Sequence, residues 1–428
     1  MSDKENTLET KQETTPFLQI FWDLAEVDIK KREIATRDLL SYLREHQVPA
    51  EQEQFPGCSR DMIYTIKRLC NGICSRNDGA RQGFSCVLQF FPNVPLSSVY
   101  TTIMESSTIE GSMKRAEKRD QVFGRLFGIL SLFRSTRFMK EPPSEEIRSI
   151  VEKCVEEVVG YYKQKQWLRE ISVETLITIL KFSHDDLIPL ILSNSLSLYI
   201  ESRPNEENEE LLIPLPFTPS SLQLLLQVQL LLHDKHIEFD DENVRRTFVE
   251  NAEVNPHHLK QLVSVYRDSS FTFPKLHALW TVTVDYLKQF AEDWEESLLK
   301  WWDAITTQVL SMSAERGGMV LKAFELLFPL VSTDQIHRLL NNRLLRLVCS
   351  NTLHLLNFLS TEQDSNRRVV LLNILLNNVG LDFDKRTGTT TCRQLLASLH
   401  VEDLGDFLSR CYRLFLQPQA NGRRWKRS

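Results

Sequence analysis

The residues of this chain that could do chemistry fall into a few small groups. Asp185-Asp186 and Asp240-Asp241 are adjacent carboxylate pairs of the kind that two-metal phosphoryl transfer would need, with ions held about 4 Å apart. Both pairs, however, stand where a helical segment opens, and Asp is expected there as a cap. No strand is at hand to carry such a site. His233-x-x-His236 and His257-His258 are the histidine clusters, and no cysteine or carboxylate converges on them at ligand spacing. The eight cysteines (Cys58, Cys70, Cys74, Cys86, Cys154, Cys349, Cys392, Cys411) form no Cys-x-x-Cys pair. They sit mostly on apolar faces and read as buried, reduced thiols of an intracellular protein. There is no Gly-x-Ser-x-Gly elbow, Walker loop or glycine-rich dinucleotide turn. The expectation is therefore no catalytic residue, no metal site, no cofactor and no small-molecule substrate.

Basic residues give a sharper signal. Lys67, Arg68, Arg76 and Arg81 lie on one predicted helical pair, and Lys114, Arg115, Lys118, Arg119 and Arg125 lie on and before another helix. If the two units stack, these cations form one stripe able to bind phosphates. The competing reading is an ordinary solvated face, because Glu117 and Asp120 interleave. The net charge of −6 confines any nucleic-acid contact to such a local patch. Arg423, Arg424, Lys426 and Arg427 read either as a weak localisation signal or as a frayed end.

The elements that must position these side chains are helices. The chain is 42% hydrophobic, with only 14 Gly and 16 Pro in 428 residues, and has no convincing alternation of β-branched residues. Ile63, Ile66, Leu69, Cys70 and Ile73 recur at helical spacing behind a capping Ser59. Asp78 is placed to cap the next helix, with Ala80, Phe84, Val87, Leu88 and Phe91 inward. Val122, Phe123, Leu126, Phe127, Leu130 and Phe133 make a broad apolar face on a further helix. Gly124 and Gly128 on that helix cost stability unless they permit close approach by a neighbour. Ser144 and Ser172 are placed as caps of later helices. Trp280, Trp294, Trp301 and Trp302 enrich one helical pair, where core packing competes with a peptide-binding groove. Trp301 and Trp302 are adjacent and cannot share one face, so one is expected in solvent or at a seam between repeats.

Helical pairs recur roughly every 40 residues, the regime of HEAT and armadillo repeats. The predicted fold class is all-α, a HEAT/armadillo-like α-solenoid of stacked helical pairs. Its expected organisation is a disordered acidic tail (1–15), a first helical-repeat part (16–200) and an acidic, proline-rich hinge (201–218). A second helical-repeat part (219–416) and a short basic tail (417–428) follow. The N-terminus lacks a signal core. The most apolar window, Leu211 to Leu232, is broken by Pro214, Pro216 and Pro219, so no membrane span is expected.

Specific residues also carry a family resemblance. Tyr64-Thr-x-Lys-Arg-Leu69, Ser75-Arg76, Ala80-Arg-x-Gly-Phe-Ser85 and Phe123-Gly-Arg-Leu-Phe-Gly-x-Leu130 resemble the Myb-binding protein 1A family, whose fungal members carry the name DNA polymerase V, or phi. Phe21 to Ala25 and Leu39 to Leu43, ahead of these, match well, and weaker matches follow in order: Asp241 to Val244, Pro274 to Trp280, Ser313 to Arg316 and Phe383 to Thr391. The resemblance implies a helical-repeat scaffold of the nucleus and nucleolus. It also implies a role in rRNA gene transcription, rRNA processing and ribosome biogenesis. The implied partners are transcription or ribosome-assembly proteins, with rDNA or rRNA an open second class of ligand. A polymerase enzyme and a generic cytoplasmic adaptor are the alternatives. Family members run on beyond this length, so the wide apolar stripe of Val401 to Leu416 is expected to leave area uncovered, and to fray or self-associate.

Overall fold

In the computed structural model, residues 16–416 are described, apart from 47, 51, 92–93, 141–142, 205–209, 234, 252–254, 270–275, 310–316, 341–343, 345–360 and 381. The tails expected at 1–15 and 417–428, the basic cluster at 423–427 and Cys349 lie outside the described residues. Contacts divide the chain into two compact units, Met1–Leu215 with Asp234–Val249, and Pro216–His233 with Glu250–Ser428. The chain thus passes between units three times, first between Leu215 and Pro216.

The first unit holds helices α1 (Pro16–Leu24), α2 (Ile29–Glu45), α3 (Arg60–Gly72), α4 (Asp78–Leu88), α5 (Leu96–Ser106), α6 (Arg115–Arg134), α7 (Glu145–Gln164), α8 (Arg169–Lys181) and α9 (Ile188–Ser195). Neighbours pair as hairpins, α1 with α2, α3 with α4, α5 with α6 and α7 with α8. Most also pack on the helix two places further on, α3 on α5, α4 on α6, α6 on α8 and α7 on α9. That double pairing is how a helical repeat buries its apolar face against the next.

The second unit repeats the pattern with α10 (Pro219–Leu232), α12 (Val263–Asp268), α13 (Leu279–Phe290), α14 (Trp294–Gln308), α15 (Gly317–Leu327), α16 (Thr333–Leu339) and α17 (Thr361–Asn378). Here α13 packs on α10 and α14, and α14 on α12 and α16. Short α18 (Phe383–Thr387) and α19 (Thr391–Ala397) precede α20 (Val401–Leu416). Between α10 and α12 lies α11 (Glu242–Val244), which belongs to the first unit and runs into a π turn at Arg245–Val249. The architecture is the all-α stack of helical pairs that the periodicity predicts.

Several local expectations change. The acidic stretch after Tyr199 is not all loop: Ile200–Pro204 (β1) pairs antiparallel with Glu210–Pro214 (β2), Glu201 opposite Ile213. Ser59 and Ser144 cap α3 and α7 as expected, but α4 is capped by Asn77, whose side chain accepts from the Gly79 and Ala80 N–H groups. Asp78 is already inside the helix. Ser172 is buried within α8, because a 3-10 turn at Gln166–Leu168 starts that helix a turn earlier. Asp185-Asp186 opens a 3-10 turn whose cap is His184, not an aspartate.

Three of the four tryptophans of this pair resolve as core, while Trp294 is half-buried, with Lys288 Nζ 5.7 Å from its ring centroid. Trp280, Trp301 and Trp302 are all buried, with Trp280 and Trp301 edge-to-face at 5.7 Å and Trp302 beside Phe324 at 5.8 Å. Both adjacent tryptophans can be buried because α14 is covered on two sides. Trp301 faces Tyr266 of α12, while Trp302 reaches the seam with α15 and α16 and donates to the Leu339 carbonyl at 3.1 Å. These three rings leave no tryptophan-lined peptide groove. In α20, Phe407 is buried while Val401, Leu408, Tyr412 and Leu416 are exposed.

Candidate nucleic-acid interface

α6 carries the candidate site, and its inner half explains why it sits where it does. Gly124 and Gly128 face neighbours with no room for a side chain: a methyl group at the first would strike Cys74, and at the second Ile103. Ser131 completes this small-residue edge by hydrogen bonding to the buried Ser85 of α4 at 2.8 Å. Close approach is thus what the two glycines provide, as their cost predicts.

Arg125 lies between them and turns inward. Its guanidinium donates to Ser107 Oγ at 3.0 Å, to the Ser107 carbonyl at 3.0 Å, to the Met104 carbonyl at 3.4 Å and to Glu157 Oε1 at 2.6 Å. It therefore satisfies the end of α5, whose last carbonyls lack intrahelical donors, and ties α5 and α6 to α7. Tyr161 donates to the same Glu157 carboxylate at 2.5 Å. Burial and that carboxylate push the Tyr161 hydroxyl up, so it remains a donor. Nearby, burial pushes the Cys74 thiol up to about 11, and it donates to the Ser106 carbonyl at 3.5 Å.

The sequence-predicted cations divide into three sets. Lys67 lies over the Phe55 ring at 5.9 Å, and Arg68 lies over Phe21 at 4.7 Å and donates to Tyr64 Oη at 2.8 Å. Their partners are thus aromatic groups of α1, α3 and the loop before α3. Arg76 and Arg81 do meet α6, but they meet its acids. Arg76 pairs with buried Asp120 at 3.2 Å and with Glu117 at 3.6 Å. Arg81 contacts Asp78 at 2.5 Å and Asp120 at 3.8 Å, and lies over the Phe123 ring at 5.4 Å. Asp120 can be buried because two guanidiniums flank it.

The third set spans the start of α6, from its N-cap into its second turn. Lys114, Arg115 and Arg119 are exposed, with no ionic partner for their side chains among the described residues. Lys118 is half-buried and donates to the Gly111 carbonyl at 3.2 Å. Glu117 holds the start of the helix by accepting the Lys114 backbone N–H at 3.0 Å. Cations at a helix N-terminus oppose the dipole, so packing does not account for this row. The continuous stripe imagined from sequence is in fact a short exposed row beside two arginines engaged by acids.

Other sequence candidates take structural roles. Asp185 pairs with Lys235, and Asp241 caps α11 by accepting from Asn243 and Val244. His233, His236, His257 and His258 are exposed. Among the described residues no group of three or more His, Cys, Asp and Glu is placed to hold a metal ion. No helix among them is long and apolar enough to cross a membrane. Asp384, within the Phe383 to Thr391 motif, accepts from the Cys392 and Arg393 N–H groups at 2.8 and 2.9 Å, and so fixes the start of α19. Sequence reasoning missed Trp167, half-exposed between α7 and α8, its ring centroid 5.6 Å from that of Phe123. A lone tryptophan directly after the polar run Lys163-Gln-Lys-Gln166 was the available signal.

The fold and this surface define a helical-repeat protein of stacked hairpins with a local basic edge. The model of the DNA polymerase phi family matches residues 64–425, and the chain belongs to that family. It is 27% identical over 340 residues to a Myb-binding protein 1A-like protein of Danio rerio, which covers 77% of this chain and 24% of that protein. Myb-binding protein 1A of Mus musculus is 24% identical over 450 residues, covering 98% and 30%. The rDNA transcriptional regulator POL5 of Saccharomyces cerevisiae is 26% identical over 150 residues, covering 29% and 15%. The chain therefore spans less than a third of the length of these relatives. No solved structure matches it significantly.

Proposed function

We propose that this chain is a nuclear scaffold for transcription regulation at rDNA, a binding protein rather than an enzyme. In the finer reading it works in the nucleolus, in rRNA gene transcription, rRNA processing and ribosome biogenesis. Its partners are transcription or ribosome-assembly proteins, and rDNA or rRNA contacts run along the start of α6. The names of its relatives, a Myb-binding protein and an rDNA transcriptional regulator, support the first part. The observation that carries the second is the row of Lys114, Arg115 and Arg119, left in solvent without an ionic partner among the described residues, while Arg81 and Arg125 are largely buried in ion pairs and Arg76, itself exposed, pairs with Asp120.

The test is chromatin immunoprecipitation of the tagged chain, fused to a nuclear import signal, beside its Lys114→Glu/Arg115→Glu/Lys118→Glu/Arg119→Glu variant. Enrichment over rDNA repeats that the variant loses is expected. Equal signal at rDNA and at unrelated loci would contradict the role, and equal enrichment of the variant would contradict the α6 surface. Template-dependent nucleotide incorporation that survives rigorous purification and disappears on changing Asp185 and Asp186 would restore the polymerase reading.

A further inference from the structure

We infer that Trp167, braced by Phe123 at the end of the α6 basic row, is a stacking platform for an unpaired base, so that this surface takes a single-stranded polynucleotide. The inference rests on the nucleic-acid part of the proposed function and deepens it.

Arg115, Arg119 and Phe123 stand on successive turns of α6, a row about 12 Å long at 1.5 Å per residue. Arg115 and Arg119 are exposed, and Phe123 is half-buried. One side of the Phe123 ring is covered by the Arg81 guanidinium at 5.4 Å, which Asp78 and Asp120 in turn hold in place. The Trp167 ring leans on Phe123 with 50° between the planes and remains 50% exposed. The 3-10 turn Gln166–Leu168 fixes its backbone, with Leu168 buried directly beside it. Lys163 and Lys165, both exposed, precede the ring in sequence. A flat ring set against Phe123, half open to water, with exposed cations on α6 and just before it in the chain, combines the two features of single-strand binding. One is charge that follows the phosphates, and the other is an aromatic face on which a base can stack.

A single strand is favoured over a duplex because a duplex keeps the faces of its bases inside its own stack. Such a ring would then meet only backbone. An acidic peptide would be drawn to the same cations but would gain nothing specific from the ring. The acids beside the row, Glu117 and Asp78, are tied to Arg76 and Arg81, so the excess of exposed charge facing a ligand is positive.

The experiment measures fluorescence polarisation with labelled twelve-nucleotide oligouridylate, oligothymidylate and a duplex of equal length, with polyglutamate as competitor. It uses the whole chain, Trp167→Ala, Trp167→Phe and Arg115→Glu/Arg119→Glu, after circular dichroism shows superposable melts. Trp167→Ala is expected to weaken both single strands by about 5- to 100-fold. It should leave duplex affinity and the salt slope unchanged, with most of the loss recovered in Trp167→Phe. The charge variant should weaken every polynucleotide and flatten the slope. If oligouridylate and oligothymidylate bind alike, the platform reads bases without regard to sugar, whereas a preference would assign it to RNA or to DNA. Trp167→Ala binding like wild type, while the charge variant fails, would overturn the platform and leave the basic-row reading standing. Polyglutamate displacing the strands at equal charge concentration, or no strand binding by the wild type, would overturn it as well. The rDNA occupancy test above would still stand by itself.

Discussion

The module around α6 and the tryptophan-rich module around α14 solve the same packing problem in opposite ways. Around α14, Tyr266, Trp280, Trp301, Trp302 and Phe324 fill the space between helices with rings. Polar atoms there are met singly: Trp280 Nε1 donates to Ser269 Oγ at 3.0 Å and Trp302 Nε1 to the Leu339 carbonyl at 3.1 Å. Around α6 the helices approach on Gly124, Gly128, Ser85 and Ser131, and are held by charged groups that reach across, Arg125 to Glu157 and Arg76 and Arg81 to Asp120. An aromatic core is indifferent to what lies outside it. A core held by arginines sets charged side chains at its rim, and there the chain places further cations that its own acids do not meet. The difference teaches that the family-like motif on α6 is architecture, and that the row next to it is where the proposed binding surface lies.

Trp302→Ala should be the most damaging single change in the tryptophan module. It removes a fully buried ring and leaves the Leu339 carbonyl without its donor, and about 3–5 kcal/mol should be lost in denaturant unfolding. A loss below about 1 kcal/mol would mean that the ring does not brace the seam.

In the α6 module the corresponding change is Arg125→Met, which keeps volume but strips the donors from Glu157 and from the carbonyls of Met104 and Ser107. About 2 kcal/mol is expected, since unsatisfied buried groups cost more than the bond itself contributes. An unchanged midpoint would place Arg125 among the binding cations after all.

A smaller effect concerns Cys74. Its thiol is held up at about 11 against an ordinary 9.0, chiefly by burial, so the folded state keeps a proton that the unfolded state begins to lose near 9. Stability from this group is therefore complete below that pH and declines between about 9 and 11. At pH 8 an alkylating reagent should label exposed Cys86 fast and Cys74 only after unfolding. Equal labelling rates in the native protein would show that the α3–α6 contact opens freely.

Much of the fold was legible because helical periodicity and caps are local properties. Gly124 and Gly128 announced a close contact through their cost alone. Trp301 and Trp302 were half legible: adjacency placed them on two faces, but whether both faces are covered depends on helices distant in sequence. Ile34 falls at helical spacing near Leu39 and Leu43, yet it is exposed, and Ala35 is buried in its place on α2. The site was legible in composition but not in arrangement. Nothing in the sequence separates Arg125, which points inward, from Arg119, which does not, since both lie on one helix among the same residue types. That division is made by Glu157, on a helix distant in sequence, while Asp120, an acid that weighed against a functional stripe, engages Arg76 and Arg81 instead.

The most direct test of the account is the salt dependence of oligonucleotide binding. It compares the whole chain with Lys114→Gln/Arg115→Gln/Lys118→Gln/Arg119→Gln, a variant whose stability should stay within about 0.5 kcal/mol of wild type. The plot of log K against log salt should flatten by about 0.7 for each single-strand phosphate that the variant no longer neutralises, with affinity falling for every sequence alike. An unchanged slope and affinity would return the α6 row to the status of a solvated helix face, and with it the division between structural and binding cations.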